Sequence, residues 1–274
     1  MRSVRTVYLA IATTALVGCA TAPSLQGARP TSSQNQTYGL AKSEAVARTD
    51  HMTKHLDESK SIVYFQNQGG GGAGLGLLLG PLGVAANMKM IDGVTAADVE
   101  KLKGRLNLSP EDALQQAAAS TNFSIQISPT QGDVKVSPFL LVSKTNETTV
   151  HISSVVLFEG TDGQSKWARR YQYQLPGKYT LDELSTLPEV EASGIQAASV
   201  TAYAALLKHI AEEKEAAIAL ERKITFKSSY ITPRFDFEMM GSLIGEKDGR
   251  VWVRMVTGVV AVEPSEIQYQ ITKN

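Results

Sequence analysis

Two strand-like runs joined by a tight turn, at 148–158 and 167–175, limit what this chain can fold into more than any other feature. Between them lies Gly160-Thr161-Asp162-Gly163-Gln164, whose Asp-Gly step is a short-range hairpin signal. Successive side chains in a strand point to opposite faces. Trp167, Arg169, Tyr171, Tyr173 and Leu175 therefore share one face, and Arg170, Gln172 and Gln174 the other. This pattern predicts an antiparallel sheet with one face on a core and one face wet. The aromatic row belongs to that core rather than to a platform for stacking a sugar or a base. Arg169 is expected to snorkel at the strand edge. Runs at 122–127 and 139–144 read as further strands.

Helix signals surround these strands. Thr95-Ala96-Ala97-Asp98 has the form of an N-cap with an acid at N3, and Ser109-Pro110-Glu111-Asp112 is a cap followed by a first-turn proline and acids. They predict helices over 96–106 and 110–120. Thr180-Leu181-Asp182-Glu183 is a capping box. Pro188 then opens what reads as the longest helix, ending near Glu221. Ile195, Ala198, Ala202, Tyr203, Leu206, Leu207 and Ile210 form its packing face, which is expected to lie across the sheet. His209 falls among these apolar residues as a satisfied or edge histidine. From Ile224 the pattern returns to strands. Phe235 and Phe237 alternate with Asp236 and Glu238, acids that point to solvent rather than to a glycosidase site. Lys247-Asp248-Gly249-Arg250 is a hairpin turn between 241–246 and 251–256, and 259–262 and 267–271 complete a meander. The fold class expected is α+β: an antiparallel sheet packed by a long helix, with a C-terminal β meander.

The N-terminus carries a different kind of information. Arg2 and Arg5 precede an apolar run over 6–17, the layout of an export signal. About 20 apolar residues are needed to span a bilayer, and this run is shorter. It ends in Leu16-Val17-Gly18-Cys19, and Cys19 is the one cysteine in 274 residues. A short buried helix with an incidental cysteine, or an uncleaved anchor, are the competing readings. Residues 16–19 resemble the lipobox of bacterial lipoproteins, with Leu16 at −3, Val17 at −2, Gly18 at −1 and Cys19 at +1. The resemblance implies that residues 1–18 are a signal peptide and that Cys19 is acylated, becomes the new N-terminus and holds the domain on membrane lipid. Ala20 at +2, in place of Asp, implies an outer-membrane location facing the periplasm. Residues 20–36 are rich in Ser, Thr, Gln, Ala and Pro, too polar to offset the entropy of ordering them. The segment 19–43 is thus expected to be a lipidated, flexible tether, about 25 Å in typical span. The α+β domain would occupy 44–222 and a β-rich element 223–274.

Composition narrows the function classes. Removal of 1–18 leaves 256 residues, and loss of Arg2 and Arg5 from the 27 basic side chains leaves 25 against 27 acidic ones, a net of −2. There is no basic surplus to hold nucleic acid or an anionic membrane by charge alone. With Cys19 acylated no thiol remains for a disulfide. His51 and His55 have the i, i+4 spacing of a zinc pair if 40–60 is helical. The position that would carry the general-base Glu of a zinc protease is Met52, so a solvated helix face is the expectation and no metal is assigned.

Between Lys60 and Lys89 no residue is charged. A strand at 61–66 leads into Gly69 to Gly72 and a Gly- and Leu-rich run containing Pro81. Gly69-x-Gly71-x-x-Gly74 matches a dinucleotide fingerprint only because glycine is so dense there, and no P-loop Lys accompanies it. The expectation is a flexible loop over 69–83 leading into a buried helix with Pro81 in its first turn. Gly72, Gly76 and Gly80 also recur every four residues, which would flatten one helix face for close contact. That spacing is similar to glycine-zipper envelope proteins over this stretch alone, and leaves self-association into a homo-oligomer as the alternative.

No serine-hydrolase elbow, catalytic cysteine, zinc cluster or P-loop occurs. The expectation is a non-enzymatic, lipid-anchored envelope protein that binds or scaffolds another envelope protein or ligand, without a cofactor. An unrecognised envelope hydrolase is the third reading.

Overall fold

The computed structural model describes residues 24–31, 36–59, 61–67, 73–121, 123–128, 130, 133–233 and 238–272, without the side chains of 73–86. Leu16, Val17, Gly18, Cys19 and Gly72 lie outside the described residues, as do Phe235 to Phe237. In chain order the strands are β1 Tyr38–Leu40, β2 Thr53–His55, β3 Ile62–Gln66, β4 Val134–Lys144, β5 Val150–Asp162, β6 Ser165–Gln174, β7 Arg222–Ser228, β8 Met239–Lys247, β9 Arg250–Met255, β10 Gly258–Val262 and β11 Ile267–Ile271. The helices are α1 Glu44–Ala47, α2 Ala73–Leu102, α3 Pro110–Thr121, α4 Leu181–Ser185, α5 Glu189–Glu212 and α6 Glu215–Ile218. The chain is thus a mixed α/β protein built on one large, mostly antiparallel sheet.

The hairpin expected at 160–164 forms, with Gly163 at φ 60° between β5 and β6, which pair from Asp162↔Ser165 to Ser153↔Gln174. β4 pairs antiparallel to β5 and carries two parallel neighbours on its other edge: β1 along Val134 to Val136 and β3 along Leu140 to Lys144. The eleven strands run in the order β11-β7-β8-β9-β10-β6-β5-β4-β3-β2, with β1 beside β4. The C-terminal strands therefore belong to the same sheet, joined through a parallel pairing of β10 with β6. The turn at Asp248 (φ 55°) and Gly249 (φ 68°) has both central residues left-handed, as an Asp-Gly hairpin requires.

One face of the sheet is packed by α3 and α5. Ile195, Ala202, Tyr203, Leu206, Leu207 and Ile210 bury the face of α5 expected from its periodicity. Two polar contacts pin it: Ser199 Oγ lies 2.7 Å from Ser154 Oγ, and the Tyr203 hydroxyl donates to the Phe139 and Val155 carbonyls. Ser109 caps α3 through the Asp112 amide, and the Thr180–Glu183 capping box starts α4.

Several expectations are corrected. The helix around residue 96 does not begin there: α2 is one 30-residue helix from Ala73. It takes in most of the stretch expected as a loop at 69–83, and Pro81 is interior to it. Thr95 is no cap. Its hydroxyl donates to the Ile91 carbonyl one turn back, while Asp98 turns inward to Lys144 and the Tyr64 hydroxyl. α5 stops at Glu212, because Glu213 turns extended and sends its carboxylate inward. Of the 122–127 run, the described residues 123–127 form no strand and contribute one bridge, Gln126 to Gly39. Within the segment expected as helical at 40–60, the described residues 41–59 hold α1 followed by β2, so His51 and His55 do not share a helix face.

The largest correction concerns the face expected to be wet. Gln172 and Gln174 are 7% and 1% exposed. The strands beyond β10 bring a second core over part of this face, built from Ile224, Phe226, Leu243, Val253 and Val260. A bulge between Leu243 and Gly245, with Gly245 at φ 153°, adds bend to β8. Tyr230, in the turn after β7, covers the part around Ser153 and Gln172, which its hydroxyl contacts.

Candidate functional site

Where that second core ends, the same face opens into a cavity of about 570 Å³. Its floor is Val63 and Phe65 of β3, Phe139 and Leu141 of β4, and Leu157 of β5. Its polar side is Arg170 and Gln172 of β6, with Tyr230 and Asn67, and Arg48 after α1 lies on the exposed rim. The alternation of each strand explains the composition. Residues of one parity pack under α3 and α5, and those of the other parity, which include Arg170, line the cavity.

Among the described residues lining the cavity none is acidic. Arg170 donates from Nη2 to Gln172 Oε1 at 2.7 Å and has no carboxylate partner among the described residues. Burial pulls its guanidinium below the ordinary arginine value, and only the Tyr230 hydroxyl opposes this; an arginine remains charged at neutral pH regardless. Tyr230 is itself held protonated by burial. Beneath it His151, 1% exposed, is kept towards its neutral form by burial, and its Nδ1 lies 3.1 Å from Gln174 Nε2.

The N-terminal segment closes one end. Residues 24–31, expected within a flexible tether, are docked. The Gln26 amide donates to the Met255 carbonyl at 2.9 Å, and its side chain exchanges hydrogen bonds with the backbone of Arg170. Arg169 does not simply snorkel; its Nε donates to the Ala28 carbonyl. Arg29 reaches the Ile210 carbonyl and the Tyr38 hydroxyl. Gln26 thus bridges the backbones of β6 and β9 at the seam where β10 begins between them. Gly258 sits in that seam at φ 147°, where a Cβ would come within 2.6 Å of the Arg170 carbonyl.

On the helix side of the sheet a buried ionic cluster holds the same segment. Arg254, 1% exposed, donates to Glu213 at 2.8 Å, to Glu221 through Nε and Nη2, and to the Gln26 carbonyl at 3.1 Å. The Tyr171 hydroxyl gives Glu213 a further hydrogen bond of 2.6 Å. Burial opposes ionisation of Glu213, but His209, Tyr171 and Arg254 outweigh it and hold the carboxyl below the usual range. Every charge in this cluster is answered from within, which marks it as structural.

Of the residues singled out from the sequence, Gly76 and Gly80 fall within α2, one turn apart. Arg170, Gln172 and Tyr230 were missed as site residues. The first two were assigned to a wet face, and no local pattern announces that distant strands will cover it. Among the described residues no three His, Cys, Asp or Glu side chains come together as a metal site, and no helix is long and apolar enough to cross a membrane. No protein family, curated protein or solved structure matches this chain.

Proposed function

We propose that this chain is a lipid-anchored envelope protein, held on the outer membrane through acylated Cys19 and facing the periplasm, with a non-enzymatic role in binding a small apolar or amphiphilic ligand. The observation that carries the binding role is the open cavity with its floor of Val63, Phe65, Phe139, Leu141 and Leu157. Its volume lies within the range of about 300–1,000 Å³ typical of small-molecule sites. Val63, Phe139, Leu141 and Leu157 are already buried, at 3–9% exposure, so the floor is a recessed apolar surface that a ligand of complementary shape would finish covering. The lipobox resemblance at Leu16 to Cys19 supports the anchor.

Two measurements test this reading. Replacing Cys19 by Ser should release the chain from membranes; a variant that still fractionates with them would remove the anchor. Solvent extraction of the purified full chain should yield a bound small molecule near one equivalent, lost when Leu157→Trp fills the cavity. A yield that Leu157→Trp leaves unchanged would sink the binding role. Self-association is a second reading, favoured by the helical conformation of Gly76 and Gly80. Gly76→Leu with Gly80→Leu should then abolish crosslinked oligomers, and unchanged crosslinking would end it.

A further inference from the structure

The cavity is both apolar and one-signed in charge. Arg170 stands directly across from Leu157 in the β5–β6 register, and the neighbouring rows continue through Val155↔Phe139 and Leu141↔Val63. From Arg170 the floor therefore runs over β5 and β4 to β3, three strand spacings or about 14 Å. This is a strip with a guanidinium at one end and side chains of Leu, Phe and Val along the rest. Only Nη2 of Arg170 has a protein acceptor among the described residues, so its remaining donors are left for a planar anion, the geometry a guanidinium matches in two parallel hydrogen bonds. Arg48 adds a second positive charge at the rim, and no lining carboxylate among the described residues competes.

We propose that the cavity holds a single-chain fatty acid drawn from the membrane, its carboxylate on Arg170 and its chain along Leu157, Phe139 and Leu141. The assignment rests on the binding role proposed above. The anchor fits it: Gln26, on the cavity rim, is seven residues from Cys19, so the rim lies within about 25 Å of the acylated residue at full extension. Charge complementarity selects an anionic head over a neutral or cationic one, because only an anion compensates a guanidinium withdrawn from water.

The test reconstitutes the full chain in phosphatidylcholine vesicles containing diazirine-bearing hexadecanoic acid or the matching hexadecanol, followed by photolysis and peptide mapping. The acid should label peptides of β4 and β5 about ten-fold more than the alcohol, as expected for one charge-assisted contact. Arg170→Gln should bring the acid down to the level of the alcohol, Arg170→Lys should keep only part of the preference because it retains the charge without the two-pronged geometry, and Leu157→Trp should lose both. If acid and alcohol label the cavity equally in the unaltered chain, the carboxylate assignment is wrong while the binding role stands. If neither labels it, the binding role falls as well. Should Arg170→Gln lower the melting temperature, the acid-to-alcohol ratio on the unaltered chain decides alone.

Discussion

On the helix-covered face of the sheet Arg254 is 1% exposed and meets two carboxylates; on the opposite face Arg170 is half-buried and meets none among the described residues. The two are close in the fold, since Gln26 touches both: its carbonyl accepts from Arg254 and its side chain bonds the Arg170 backbone. A buried charge is costly unless paired. The first face meets that cost with Glu213 and Glu221 and leaves nothing for a ligand. The second keeps its charge beside an apolar cavity. The contrast separates an arginine that holds the protein together from one whose partner must come from outside.

The sharpest way to break this contrast is to remove Arg254. Arg254→Met would strand Glu213 and Glu221 in the interior and should cost about 3–5 kcal/mol in denaturant unfolding. A loss under about 1 kcal/mol would show that the cluster is not structural. The same cluster governs acid stability. Burial opposes the charge on Glu213, yet its neighbours hold its folded pKa below the ordinary 4.5. A depressed carboxyl contributes stability that is fully present above its unfolded value and is lost as pH falls through the folded one. Melting temperature should therefore drop on acidification below about pH 4.5, and Glu213→Gln should flatten that limb.

How the two faces arise was only half legible in the sequence. The periodicity of Trp167, Tyr171 and Tyr173 and of α5 named the filled face, because both elements report their burial through spacing alone. The capping signals at Ser109 and Thr180 worked for the same reason, being local. Thr95 failed because a tertiary partner, Lys144, drew Asp98 inward and the helix ran on past the expected start. The open face was illegible because it depends on β10 joining β6 in parallel and on Tyr230 reaching Gln172, contacts made 58 or more residues apart. Residues 24–31 read as tether by composition, yet Gln26 and Ala28 are buried by hydrogen bonds to Arg170, Met255 and Glu215 that no local pattern encodes.

A smaller effect is expected at the seam between the faces. Gly258→Ala would put a Cβ 2.6 Å from the Arg170 carbonyl on a backbone at φ 147°, a conformation side chains rarely adopt. The cost should be about 2 kcal/mol, read by thermal or denaturant unfolding. Labelling by the fatty-acid probe should fall with it, since β10 and Arg170 frame one end of the cavity. Full stability in Gly258→Ala would mean that β6 and β10 are less tightly joined than their pairing indicates.

The smallest expected effect is the most informative. Arg170→Met removes a charge that has no carboxylate partner among the described residues and replaces it with an apolar chain of similar length beside the apolar floor. The one side-chain hydrogen bond lost among the described residues, to Gln172, is worth about 1.5 kcal/mol, and relief of the desolvated charge offsets it. Stability should therefore change by less than about 1 kcal/mol in either direction. Set beside the 3–5 kcal/mol expected for Arg254→Met, that result would show a guanidinium kept on the open face without benefit to the fold. If Arg170→Met instead destabilises the protein as much as Arg254→Met, Arg170 is a structural residue too, and the cavity loses the group that distinguishes it from an unfilled gap between strands.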